Sequence, residues 1–160
     1  MSLPHVIRPI CPARPERFPV VPRGPDVYVY SAHKQPELYG AHIVDRVRRA
    51  LPALRFRLCY STPPGNEAPD DMPRIYAECF IGLRLTPHDG LPNTVIELGA
   101  MGRRSIWNGD APGAIPWQTE AHVVAAILEE SRTIGATDAK LAAEMRAWLD
   151  DAPRDWLEVT

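Results

Sequence analysis

The run Cys79-Phe80-Ile81-Gly82-Leu83-Arg84-Leu85-Thr86-Pro87-His88-Asp89-Gly90-Leu91-Pro92-Asn93-Thr94-Val95-Ile96-Glu97 decides the fold. Its first part, Phe80 to Leu85, is a short, nearly continuous apolar stretch, the pattern of a strand covered on both faces in a parallel sheet. Its second part passes through Gly90-Leu91-Pro92 into an amphipathic helix from Pro92 to about Met101, with Gly102 just past its end. A strand that turns sharply into a helix directs free backbone N–H groups and the positive end of the helix dipole at one point, which suits a phosphate or pyrophosphate. Asp89 and Glu97 flank that point, and ionised carboxylates accept hydrogen bonds from sugar hydroxyls. The outline is that of a site for a nucleotide-linked sugar.

The same alternation continues on both sides. Val27-Tyr28-Val29-Tyr30 reads as a strand that ends at Ser31, followed by a polar loop with His33, Lys34 and Glu37. From Gly40 to Leu51, Ile43, Val44, Val47 and Leu51 share one helical face, and Pro52 stops the helix. Arg55 to Tyr60 is a second strand whose alternating arginines suggest a sheet edge or a place where one face meets solvent. A Pro/Gly/Asn loop over 61–71 leads to a short helix, Met72 to Glu78, with Pro73 in its first turn. Arg103 to Trp107 is a fourth strand, and 108–117 is a Gly/Pro loop. Thr119 caps a helix with an expected buried stripe of Val123, Val124, Ile127 and Leu128, ended by Gly135. Thr137 is expected to cap the last helix, which carries Leu141, Met145 and Trp148 at helical spacing. Strands alternating with helices give an α/β, Rossmann-like parallel sheet flanked by helices in three layers.

Composition narrows the function classes. The 160 residues suit one domain, and 45% apolar content is enough for a core. A net charge of −2 gives no general attraction to nucleic acid. The cations are sixteen Arg against two Lys, Lys34 and Lys140, a bias read as genome composition. Cys11, Cys59 and Cys79 have neither the number nor the spacing of a disulfide framework or a zinc site, and Cys59 and Cys79 read as small buried hydrophobes. The five histidines show no metal-ligand spacing, and no P-loop or Gly-x-Gly-x-x-Gly occurs. No stretch approaches the ~20 apolar residues of a membrane span, and no secretory leader is evident, so a reducing, cytoplasmic setting is expected. Residues 1–25 hold seven of the eighteen prolines and read as an extended arm or a loop draped on a body formed by 26–160, with Val20-Val21 available for brief edge pairing. Trp107, Trp117, Trp148 and Trp156 read as core or lid aromatics.

With these residues in view, the chain resembles the C-terminal, donor-binding half of a GT-B glycosyltransferase of the retaining family-4 kind. Leu85-Thr86 stands where that family has Pro-Ser, Asp89-Gly90-Leu91-Pro92 where it has Glu-Gly-x-Pro, and Glu97 follows Asp89 by the family's eight residues. Glu97-Leu98-Gly99-Ala100-Met101-Gly102 stands where the family reads Glu-Ala-Met-Ala-x-Gly, and Ile75 to Cys79 resembles its tyrosine-containing helix. The chain departs from the family in its shorter first carboxylate and in Tyr39-Gly40 where Lys-Gly is common. It also lacks an acceptor half.

The resemblance implies a metal-independent retaining transferase that takes a UDP-, GDP- or ADP-sugar and needs no cofactor. The acceptor site would come from a partner chain or a homo-oligomer. Asp89 would face the sugar ring, Glu97 the nucleotide ribose, and Lys34 with His33 the departing diphosphate. The backbone of Gly90, Leu91, Pro92 and Asn93, together with Ser31 and Thr86 at the strand ends, would complete the donor site. Arg84, a charge near the C-terminal end of a central strand, would face phosphate or pair with Asp89 or Asp110. Two rival expectations stand beside it. One is a degenerate, non-catalytic nucleotide-binding or assembly module of the same fold; the other is a Rossmann-like enzyme for a different phosphorylated ligand.

Overall fold

A computed structural model describes residues 14–31, 35–60, 67–86 and 90–151. Its elements in chain order are β1 (Asp26–Ser31), α1 (Ala41–Ala50), β2 (Phe56–Tyr60), α2 (Met72–Ala77), β3 (Cys79–Leu83), α3 (Asn93–Ala100), β4 (Arg104–Ile106), β5 (Ala114–Ile115), α4 (Glu120–Ser131) and α5 (Ala139–Asp150). Short 3₁₀ turns at Pro15–Arg17, Pro36–Tyr39 and Pro69–Asp71 each begin with proline, whose fixed φ suits a first helical position. The strands form one sheet in the order β2-β1-β3-β4-β5, and every neighbouring pair is parallel. The expected Rossmann-like α/β/α architecture is therefore present, with β2 at one edge as its alternating arginines foretold.

Each face of the sheet buries its own core. On one side Val27 and Val29 of β1 pack with Val44 and Val47 of α1 and Val123 and Ile127 of α4. On the other, Tyr28 packs with Ile75 and Tyr76 of α2, Ile96 and Leu98 of α3, and Met145 of α5. The period-two alternation Val-Tyr-Val-Tyr of β1 sorts valines to the first face and tyrosines to the second. Gly82 in the middle of β3 lets α3 lie close to the sheet: a Cβ there would stand 2.3 Å from Leu98 Cδ1. Cys59 and Cys79 are buried as expected.

The chain runs from β1 outward to β2, then returns to β3 on the far side of β1. That reversal opens a crevice at the C-terminal ends of β1 and β3, the place where open α/β sheets bind ligands.

Residues 14–25 lie against the body and form no strand, so Val20-Val21 makes no edge pairing. Phe18 and Arg23 are buried, and Arg146 donates to the Phe18 carbonyl at 3.1 Å. Arg23 donates to the Gly102 carbonyl at 2.6 Å and to Asp138 Oδ2 at 3.3 Å. Arg103, with 0% exposure, donates to the carbonyls of Cys79 (2.9 Å), Met101 (2.8 Å) and Pro22 (3.0 Å). These two arginines rivet the segment to the ends of α2 and α3, which a genome-composition reading of arginine does not anticipate.

Other expectations need correction. The 108–117 loop contains β5, a two-residue strand that continues the sheet beyond β4. The cap of α5 is Asp138, not Thr137: its carboxylate accepts from the Leu141 N–H at 2.9 Å and also draws in Arg23, which a threonine hydroxyl has no charge to do. Thr119 does cap α4, accepting from His122 N–H at 3.3 Å, but Leu128 on that helix is exposed, because α4 buries the narrower stripe of Val123 and Ile127. Trp107 and Trp117 are core residues and Trp148 packs against the second core; Trp156 lies outside the described residues. Among the described residues no helix is long and apolar enough to cross a membrane.

Gly102 ends the turn after α3 at φ +76°, and a Cβ there would stand 2.4 Å from the Asp138 carbonyl oxygen. Gly102→Ala should therefore cost about 2–3 kcal/mol, from left-handed backbone plus displacement of the α5 cap. Chemical denaturation of the variant beside wild type measures it.

Candidate functional site

A cavity of about 400 Å³ opens beside the C-terminal half of β1. Five parts of the chain build most of it. Tyr28 and Tyr30 come from β1, Cys59 and Tyr60 from the end of β2, Met72 and Tyr76 from α2, and Asn93, Thr94 and Glu97 from the first turns of α3. The fifth wall is the arm, through Arg14, Arg17 and Phe18. Its size falls within the range of small-molecule sites, and its lining mixes aromatic rings with a few polar groups.

Glu97 is the chemical centre of this cavity. Tyr76 O–H donates to Glu97 Oε2 at 2.7 Å. The Tyr76 ring is 1% exposed, wedged edge-on against Tyr28 (centroids 5.0 Å apart, 71°) and against Phe18 of the arm (6.0 Å). Its position is thus fixed by packing before it meets the carboxylate. Thr94 of α3 lines the same cavity as the Tyr28 and Tyr76 side chains. Burial raises the Glu97 pKa above the ordinary glutamate value, while the Tyr76 hydrogen bond and then the Arg17 charge pull it back down. Burial likewise raises both phenols, so Tyr28 and Tyr76 stay protonated donors at neutral pH. It pushes the Cys59 thiol up to about 11, which leaves that pocket-lining thiol un-ionised.

A half-buried, tyrosine-clamped carboxyl in an aromatic-lined cavity has two chemical capacities. Ionised, it accepts from two vicinal hydroxyls or attacks an electrophilic sugar carbon; protonated, it donates to a leaving group. Tyr30 and Tyr60, half-buried on the cavity wall, leave ring surface for a flat heterocycle, while Tyr28 and Tyr76 are closed off by packing.

The residues expected from sequence fall into three groups. Glu97 and Asn93 line the cavity. Arg84, Thr86 and Ser31 are buried around the strand ends, Pro92 is the buried N-cap of α3, Leu91 packs on the second core, and Gly90 is exposed. None of these six lines the cavity. Asp89, Lys34 and His33 lie outside the described residues. Arg84 stacks its guanidinium 3.8 Å from the centroid of the Tyr30 ring and 5.3 Å from that of Tyr39, so it buttresses a cavity wall from behind through cation–π contact.

The Glu97 site therefore opens toward β1, β2 and α2, and the groups that complete it are Tyr28, Tyr30, Tyr76 and Thr94. A signal for two of them is visible in the chain, since Tyr28 and Tyr30 recur at period two and must share a face. Tyr76 carries no such signal, because only the packing of α2 on α3 brings it to Glu97. Among the described residues no group of three or more His, Cys, Asp or Glu side chains is placed to hold a metal ion. No protein-family model matches the chain, and no curated protein matches it.

Proposed function

We propose that the cavity binds a nucleotide or nucleotide-linked sugar and that the domain performs glycosyl chemistry on it without a metal. The heterocycle lies among the tyrosine rings, and the ribose hydroxyls donate to Glu97. One observation carries this reading: the Tyr76–Glu97 hydrogen bond of 2.7 Å in an aromatic-lined cavity beside β1. Desolvating a carboxylate is unfavourable, and a fold keeps such a group where a ligand uses it. The tyrosine hydroxyl holds the carboxylate in one orientation, which is the positioning that sugar chemistry needs.

Acceptor binding then falls to a partner chain or a second copy, as the resemblance to one GT-B half implies. A thermal-shift panel of nucleosides, nucleotides and nucleotide sugars tests the reading. A true ligand at 100 times its dissociation constant should add about 2.7 kcal/mol, which is roughly 5–10 °C in a domain of this size. No shift with any member of the panel, in protein that is folded by circular dichroism, would overturn it.

A further inference from the structure

We infer that the N-terminal arm supplies the phosphate-reading groups of this site: Arg14 and Arg17 take the ligand's phosphate ester. This rests on the nucleotide reading above and names where the anionic end of the ligand sits.

The cavity carries two kinds of polar group. Glu97, Thr94 and Asn93 of α3 offer acceptors and short polar groups. Arg14 and Arg17, on the 3₁₀ turn Pro15–Arg17 and the residue before it, bring cations to the wall beside α3, where Glu67 adds a second carboxylate. Arg17 is near enough to Glu97 for its charge to stabilise that carboxylate, so the cation and the sugar-facing acid belong to one ligand's span.

The arm is a fixed wall, which is what a binding element requires. Phe18 is buried against Tyr76, its carbonyl accepts from Arg146, and the Val21 and Pro22 carbonyls accept from buried Arg103. The two arginines are therefore held at the cavity by a backbone anchored on both sheet-flanking helices α3 and α5 and on the turn after α2.

Arg17 is engaged with Asp70 at 2.5 Å, but the Asp70 side chain is 91% exposed. Exposed ion pairs contribute little, because water competes for both partners. A phosphate carries more charge and more acceptor oxygens than one carboxylate and takes guanidinium groups in bidentate fashion. Exchange of Asp70 for a ligand phosphate therefore costs little and gains a stronger pair. Among the described residues just before α3, Gly90 is exposed, and Gly90, Leu91 and Pro92 do not line the cavity.

Isothermal titration of the full chain with uridine, cytidine, adenosine and guanosine, each beside its 5′-monophosphate, and with UDP-glucose, decides the matter. For whichever base binds, the monophosphate should bind at least about tenfold tighter than the nucleoside. Arg17→Ala with Arg14→Ala should remove that preference while leaving nucleoside affinity within about twofold. Asp70→Asn, which frees Arg17, should tighten the monophosphate and leave the nucleoside unchanged. Ribose 5-phosphate alone should bind weakly, which separates a nucleotide from a simple sugar phosphate as the source of the ester. Equal affinity for nucleoside and monophosphate, or equal loss of both in the double variant, overturns the arm's role and leaves the nucleotide reading standing. No binding of any ligand overturns both.

Discussion

Arg103→Met should lose about 3–5 kcal/mol of stability, a large share of the 5–15 kcal/mol that holds an ordinary domain together. The side chain has 0% exposure and donates to carbonyls from three separate segments: Cys79 entering β3, Met101 closing α3, and Pro22 in the arm. Methionine fills much of the volume but offers no donor. The carbonyls cannot be deleted with it, so each is left buried without its partner at about 1–3 kcal/mol. Burial lowers the guanidinium pKa to about 10, which still leaves it charged at neutral pH and able to serve all three acceptors.

Arg132→Met gives the contrast. Arg132 and its partner Glu129 are both exposed at the end of α4, so loss of their ion pair should cost under about 1 kcal/mol. Urea titrations of the two variants measure the difference, and near-equal midpoints would contradict the hub assigned to Arg103. Because the arm also carries Arg14, Arg17 and Phe18, Arg103→Met should weaken ligand binding at temperatures where the rest of the fold survives.

Glu97→Gln should weaken nucleotide binding while strengthening the fold at neutral pH. On the functional side, glutamine keeps the shape and can still accept from Tyr76, but it has no charge. A neutral amide oxygen accepts from ribose hydroxyls less strongly than a carboxylate, so nucleotide affinity should fall by about tenfold. On the stability side, burial raises the Glu97 pKa above its unfolded value. Between those two values the folded protein holds a proton that the unfolded chain has released, so stability falls as pH rises through that window. Below the ordinary glutamate value of 4.5 both states are protonated and the penalty is absent.

The variant, which does not titrate there, should match wild type in acid and exceed it in melting temperature as pH rises to neutral. A melting-temperature series from pH 4 to 8 reads this directly. A variant less stable than wild type at pH 7 would mean that Glu97 is an ordinary structural partner of Tyr76.

The chain's order of strands and helices was legible because its apolar periods are strong. The buried run 80–85, the alternating β1 and the stripe of α1 each admit one reading. What escaped has physical causes. β5 has two residues, too few to show a period, and exists because β4 offers it a ladder. Asp138 displaces Thr137 as the α5 cap because the buried Arg23 rewards a charge there, and that contact spans 115 residues of sequence.

The site was half legible. Glu97 was reachable through its spacing from Asp89, and the expectation that it meets a ribose remains the core of the proposal. The partners that define its chemistry come from α2, β1 and the arm, at sequence separations that no local pattern encodes. A proline-rich arm reads as a passive segment, yet Phe18 and Arg17 stand in the cavity wall, because prolines that forbid a helix also hold an extended chain in place for packing.

The most direct test of the central claim is a crystal of the protein soaked with a nucleoside 5′-monophosphate that shifts its melting temperature. The account predicts density in the cavity between Tyr28, Tyr76 and the arm, with a ribose hydroxyl within hydrogen-bonding distance of a Glu97 carboxylate oxygen. A ligand bound at full occupancy elsewhere on the molecule, with Glu97 still bonded to Tyr76 alone, would contradict it.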